Sequence, residues 1–209
     1  MSVGTSPRAV LFDLDGTLLD TAPDMVGAIN LLRVEEGLDP LPFERLRVHV
    51  SHGAARLVEI GFGCAEGDRF ESLRRRFLDL YRGRLCEATR LFDGLEEVLL
   101  ELEVHNIPWG VVTNKPGWLT DPLIQAVGLG RRVGCVVSGD TLAERKPHPL
   151  PLLHAADLLG VSAADCTYVG DAERDIQAGR AAGMRTKLHL RPGYFFSKPL
   201  HRFCASSVL

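Results

Sequence analysis

Five cysteines are scattered along this chain (Cys64, Cys86, Cys135, Cys166 and Cys204), and no two of them stand at CxxC spacing. An odd, dispersed set excludes a disulfide framework and a thiolate zinc site, and reduced, mostly structural thiols are expected. Charge of one sign is also missing. With 24 basic against 27 acidic residues the net charge is −3, which excludes a general affinity for nucleic acid or for an anionic membrane. Long hydrophobic runs are absent near the N-terminus. The apolar run from Ala9 to Phe12 is interrupted by Asp13 and Asp15 before a signal-peptide core or a membrane span could form, so a cytoplasmic protein is expected. There is no internal repeat and no low-complexity segment. Gly61-Phe62-Gly63 has no correctly placed third glycine and no G-x-x-x-x-G-K-[ST] occurs, which disfavours a nucleotide-binding module. His49, His148 and His154 show no metal-ligand spacing and read as structural or solvated.

What is present is a globular composition. Of 209 residues, 45% are hydrophobic, enough for a real core in one domain or in a domain carrying a sizeable insert. Between Arg8 and Leu14 the residues Ala-Val-Leu-Phe form a continuous apolar run ending in acids, the pattern of a parallel strand buried on both faces. Trp109 to Val112 leads likewise into Thr113 and Asn114, Cys135 to Val137 into Ser138 and Asp140, and Thr167 to Val169 into Gly170 and Asp171. Between them Leu95, Val98, Leu99 and Leu102 recur at helical spacing, as do Leu152, Leu153, Ala156 and Leu159. Alternating strands and helices predict an α/β fold, a Rossmann-like parallel sheet with helices on both faces. Ligands of such sheets bind beyond the carboxyl ends of the strands, where the polar residues cluster here.

Residues 21–88 break the alternation, with helical patterns and no convincing strand; they predict an inserted helical domain. The expected organisation is therefore a core of residues 1–20 and 89–209 with a helical insert of 21–88. Thr21 with Asp24 resembles a capping box, Pro23 fits a first turn, and Gly37 is a stop. A second helix carries Phe70, Leu73, Phe77, Leu80 and Tyr81 on one face, and Arg74, Arg75 and Arg76 read as its solvated side.

The segment Asp13-Leu14-Asp15-Gly16-Thr17 is the most informative, because carboxylates two apart on a strand project from one face. Burying both is costly unless a cation or a shared proton compensates. Gly170-Asp171-Ala172-Glu173-Arg174-Asp175 places two further acids four apart, one helical turn, at another strand-to-helix junction. Oxygen-only ligands suit a hard cation such as magnesium.

These segments, with Thr113-Asn114-Lys115-Pro116 and Lys146-Pro147 between them, resemble the four motifs of the haloacid dehalogenase superfamily, in family order and each after its own strand. The resemblance implies a Mg2+-dependent hydrolase of a small phosphate monoester. Asp13 would attack phosphorus to form an aspartyl-phosphate, and Asp15 would protonate the leaving alcohol and then activate water. Thr113, Asn114 and Lys146 would hold phosphate oxygens. Asp13 and Asp171 would bind the metal through side-chain oxygens and Asp15 through its carbonyl, with Gly170 and Asp175 supporting the site.

The insert then resembles the family's small cap, in which His52 and Arg56 are candidate substrate contacts. The wording Leu-Leu-Asp-Thr-Ala-Pro-Asp, Val-Val-Thr-Asn-Lys-Pro and Lys-Pro-His-Pro-Leu-Pro-Leu is similar to the phosphoglycolate phosphatase group, and with Leu91-Phe92-Asp93-Gly94 also to the N-acetylmuramic acid 6-phosphate phosphatases. A sugar phosphomutase of the same fold would use the same residues. A phospho-signalling receiver domain is shorter and lacks the insert, and a haloalkanoate dehalogenase lacks the second carboxylate, Asp15. The expected partner is a small-molecule phosphate ester, the expected assembly a monomer or homodimer.

After Met184 the resemblance fades. Arg185 to Leu190 is an expected fifth strand and Gly193-Tyr194 echoes the family, but Phe195 to Leu209 is basic, aromatic and brief. An altered or shortened C-terminus, with a less covered sheet edge, is the expectation from that tail.

Overall fold

The structure, a computed structural model, describes residues 6–188; the tail from Phe195 to Leu209, with Cys204 and Gly193-Tyr194, lies outside the described residues. Along the chain run β1 (Ala9–Phe12), β2 (Leu19–Asp20), α1 (Ala22–Glu35), α2 (Phe43–Arg47), a 3-10 turn (Val50–His52), α3 (Ala54–Phe62) and α4 (Gly67–Arg82). They are followed by β3 (Arg90–Leu91), α5 (Leu95–Val104), β4 (Trp109–Val112), α6 (Gly117–Ala126), β5 (Cys135–Val137), α7 (Leu150–Leu158), β6 (Cys166–Gly170), α8 (Glu173–Ala181) and β7 (Arg185–Leu188). The described residues form two compact units, one of 6–18, 91–117 and 131–188, the other of 19–90 and 118–130.

The first unit is built on a parallel five-stranded sheet in the order β5-β4-β1-β6-β7. Its central strand explains the apolar run, since Ala9, Val10, Leu11 and Phe12 are all fully buried. A strand covered on both faces has no use for alternation. Register brings the strand ends level: Phe12 stands opposite Val111 of β4 and Val169 of β6. The polar residues that follow each strand therefore emerge along one edge. Beneath them, Trp109 lies edge-on to Phe12, ring centroids 6.4 Å apart, and its indole N–H donates to Glu103 at 3.1 Å. The fifth strand is found at Arg185–Leu188. Burial pushes the Cys135 thiol up to about 12, so it is inert at neutral pH.

The second unit is helical. Ile29 and Leu32 of α1, Leu46 of α2, Leu57 of α3, and Phe70, Leu73, Phe77 and Tyr81 of α4 share one buried cluster. The apolar face read for α4 is the buried one, and Leu80 sits at its margin. Arg76 stands on the solvated side, its side chain 42% exposed, and its guanidinium donates to Glu35 of α1 and to Glu36 just after it. The expected capping box fails. Thr21 makes no side-chain capping bond, and buried Asp24 instead accepts from the backbone N–H groups of Ala88 and Thr89 (2.8 and 2.9 Å) and from the Thr89 hydroxyl (2.7 Å). One carboxylate thus ties the beginning of the helical segment to its end. No helix among the described residues is long and apolar enough to cross a membrane.

Replacing Asp24 by Ala would leave three donors unpartnered, two of them on the backbone, at a site where Asp24 and Thr89 are almost fully buried. Asp24→Ala is expected to cost about 3 kcal/mol in urea unfolding followed by circular dichroism. A loss below about 0.5 kcal/mol would contradict this role.

Candidate active site

The edge where the strands end carries four carboxylates and two lysines. Asp13 follows β1 directly and its N–H still pairs with the Val169 carbonyl (2.8 Å), so the sheet ladder fixes its backbone. Gly16 then turns with φ +89°, a conformation that side chains resist. Thr113 is anchored likewise, its N–H on the Val137 carbonyl at 2.9 Å. At the end of β6, a Cβ on Gly170 would lie 2.3 Å from Cβ of Asp175. Glycine is what lets Asp175 approach the strand, where its Oδ2 accepts from the N–H of Ala172 at the start of α8.

Lys146 is the hub. It is 2% exposed, and its ammonium lies 2.8 Å from Asp13 Oδ1, 2.8 Å from Asp175 Oδ1, 2.8 Å from the Val112 carbonyl and 2.7 Å from the Tyr168 hydroxyl. Three ammonium protons face four oxygens. The count closes because the Tyr168 hydroxyl accepts from Lys146 and can donate onward to Asp175 (3.1 Å) or Val112 (3.0 Å). Asn114 fixes the other end of this lysine: its carboxamide donates to the Lys146 carbonyl (2.8 Å) and accepts from the Lys146 N–H (3.0 Å). The second lysine, Lys115, grips Asp15 through both carboxylate oxygens, at 3.0 and 3.2 Å.

Oxygens of Asp13, Asp171 and Asp175 lie within 4.8 Å of one another. Burial drives the Asp13 carboxyl up to about 7; Lys146 pulls it down, and Asp175 and Asp171 push it up again. Burial and the neighbouring acids also hold the Tyr168 phenol well above its ordinary range, so it remains a neutral donor. Three clustered carboxylates with one ammonium form an all-oxygen, electron-rich set that fits a hard divalent cation.

The structure thus brings Asp13, Asp171, Asp175 and Lys146 together, with Gly170 beneath them. Asp15 is held by Lys115, and the Thr113 hydroxyl accepts from the Lys115 N–H at 3.1 Å. His52 lies in the 3-10 turn of the helical unit, 6.0 Å from the His49 ring, and Arg56 pairs with Glu59 at 2.8 Å. Sequence reasoning assigned no part to Tyr168 or Lys115. Tyr168 reads as one more apolar residue of a buried strand, although its position just before the Val-Gly-Asp run placed it at the right strand end.

A carboxyl raised from 3.8 to about 7 stabilises the fold while protonated. That contribution is complete below the unfolded value near 4 and is lost as the pH rises through about 7. Chelator-treated protein is therefore expected to lose on the order of a few kcal/mol between pH 4 and 8. Asp13→Asn, which cannot ionise, should flatten that part of the profile, and thermal melts of both proteins across the range check it. Parallel profiles for the two would refute the assignment.

Comparison with known proteins finds relatives over most of the chain. Residues 10–188 match the haloacid dehalogenase-like hydrolase family. A phosphoglycolate phosphatase of Xanthomonas campestris is 49% identical over 178 residues, 85% of this chain and 80% of that protein. An N-acetylmuramic acid 6-phosphate phosphatase of Pseudomonas putida is 42% identical over 188 residues, 90% of this chain and 84% of that one. Among solved structures, a predicted phosphoglycolate phosphatase from Haemophilus somnus superposes with a TM-score of 0.79 at 29% identity, covering 95% of this chain and 91% of that one. The chain belongs to the haloacid dehalogenase-like hydrolase family.

Proposed function

We propose that this protein is a magnesium-dependent phosphate monoester hydrolase that works through an aspartyl-phosphate on Asp13, with 2-phosphoglycolate as its substrate. The observation that carries the reading is the buried Asp13 carboxylate, held at a strand end by Lys146 and faced by Asp171 and Asp175. Asp13 attacks phosphorus and the ester P–O bond breaks, while Asp15 delivers a proton to the leaving alcohol oxygen. Asp15 then takes a proton from water, which adds to phosphorus and releases phosphate from Asp13.

Lys146 offsets charge on the phosphoryl oxygens as it spreads in the transition state. The Thr113 hydroxyl, which accepts from Lys115 N–H, keeps its own proton for a phosphate oxygen. Asn114 spends its carboxamide on Lys146 and serves the phosphate by placing that lysine, together with the neighbouring backbone amides. Asp13, Asp171 and the Asp15 carbonyl, with Asp175 and Gly170 supporting them, would hold magnesium, which would supply charge neutralisation to the phosphoryl group.

The organisation proposed is a catalytic core of residues 1–20 and 89–209 and a helical cap of 21–88, whose His52 and Arg56 are the proposed substrate contacts. The protein acts in the cytoplasm as a monomer or homodimer. A second reading, N-acetylmuramic acid 6-phosphate as substrate, is favoured by the 42% identical Pseudomonas relative.

Phosphate release from 2-phosphoglycolate, N-acetylmuramic acid 6-phosphate and β-glucose 1-phosphate, with and without magnesium, tests the proposal. Turnover of 2-phosphoglycolate is expected to need the metal and to fall roughly 10⁴-fold or more in Asp13→Asn, as removal of a nucleophile does elsewhere. Near-normal activity in folded Asp13→Asn would sink the mechanism, and preference for the amino-sugar phosphate would move the substrate to the second reading.

A further inference from the structure

Lys146 has one more acceptor around it than it has protons. Its three ammonium protons face Asp13, Asp175, the Val112 carbonyl and the Tyr168 hydroxyl. The first three would engage the ammonium fully by themselves, so the resting cluster closes without the phenol. Packing does not call for the hydroxyl either. Tyr168 is fully buried on β6 in an apolar cluster with Leu11, Val112, Leu152 and Ala178, where phenylalanine would fill the same place with one polar atom fewer to satisfy. What the hydroxyl adds is a proton. It can donate to the Val112 carbonyl at 3.0 Å or to Asp175 Oδ1 at 3.1 Å, two oxygens that Lys146 also holds. Val112 ends β4, and a buried carbonyl in that place needs a donor at all times.

We propose that Tyr168 is a positioning residue whose hydroxyl is the exchangeable partner of Lys146, taking an ammonium proton at rest and yielding it to a phosphoryl oxygen during turnover. The inference rests on the phosphatase reading above, in which Lys146 offsets charge on the transferring group. A phosphoryl oxygen is one acceptor more, and Lys146 serves it only by leaving a present partner. Leaving Asp13 would loosen the nucleophile, and leaving Asp175 or Val112 with no other donor would strand a buried acceptor. Tyr168 can be left at little cost, because its oxygen need not accept while its own proton covers Val112. Lys146 then keeps Asp13 and Asp175 and has a proton for the phosphoryl group. In Tyr168→Phe all three ammonium protons are committed to Asp13, Asp175 and Val112, and serving the phosphoryl group strands one of them.

The test uses the magnesium-loaded full chain as Tyr168→Phe, which keeps the ring whose centroid lies 5.4 Å from the ammonium and removes only the hydroxyl. Two quantities are read: kcat and KM for whichever of the three esters wild type hydrolyses best, and the inhibition constant of orthovanadate, a five-coordinate mimic of the phosphoryl group in transfer. kcat is expected to fall about 10- to 100-fold with KM within about threefold, because the bond lost forms chiefly as charge develops. The vanadate constant should weaken by a similar factor. 4-Aminophenylalanine at position 168, which restores a donor there, should recover part of both, and Tyr168→Leu replaces the phenylalanine variant if that one does not fold. A loss of packing alone lowers the folded fraction and leaves the vanadate constant as it was. An unchanged kcat, an unchanged vanadate constant or a loss confined to KM in the folded variant therefore overturns the role of Tyr168, while wild-type turnover upholds the phosphatase reading. No phosphate released by wild type from any ester defeats that reading and this inference with it.

Discussion

The constraint on which this site depends is the burial of a single ammonium among oxygens. Lys146 is nearly inaccessible, and a cation in such a place is tolerable only with its protons fully engaged. Everything nearby serves that need: Asp13 and Asp175 supply charge, Val112 a carbonyl and Tyr168 a hydroxyl that passes a hydrogen bond on. Asn114 clamps the backbone of the same residue. The position of the Asp13 carboxylate is therefore a by-product of satisfying one buried lysine, and strands β1, β4 and β6 must end level for the oxygens to meet.

That arrangement gathers negative charge. Asp171 and Asp175 face Asp13, and burial with these two acids outweighs the lysine at 2.8 Å in raising its carboxyl. A divalent cation would offset that charge, which connects the cost of burial to the proposed chemistry. Asp15 has a different solution, a lysine of its own.

Much of this was legible because strand ends are local. A buried parallel strand announces itself by an unbroken apolar run, and the polar residues after Phe12, Val112, Val137 and Val169 had to emerge on one edge once those runs were parallel neighbours. The α4 face was legible for the same reason, as helical periodicity is a short-range property. What failed was long-range. Asp24 looked like a partner for Thr21 three residues away, whereas its hydrogen bonds go to Ala88 and Thr89 at the other end of the helical segment. The partners of solvated Arg76 were likewise hidden, because Glu35 and Glu36 stand some forty residues earlier.

By itself the sequence determined the α/β class, the parallel sheet, the identity of the carboxylates and the family, because each rests on residue type and short spacing. Only the tertiary structure decided which lysine serves which carboxylate, that Asn114 spends its side chain on Lys146, and that Tyr168 belongs to the site. Lys115 and Asp15 are a hundred residues apart in the chain and Lys146 and Asp13 more than that. No local pattern encodes which of two cations meets which of two anions; the register of a twisted sheet does, by setting where each strand ends.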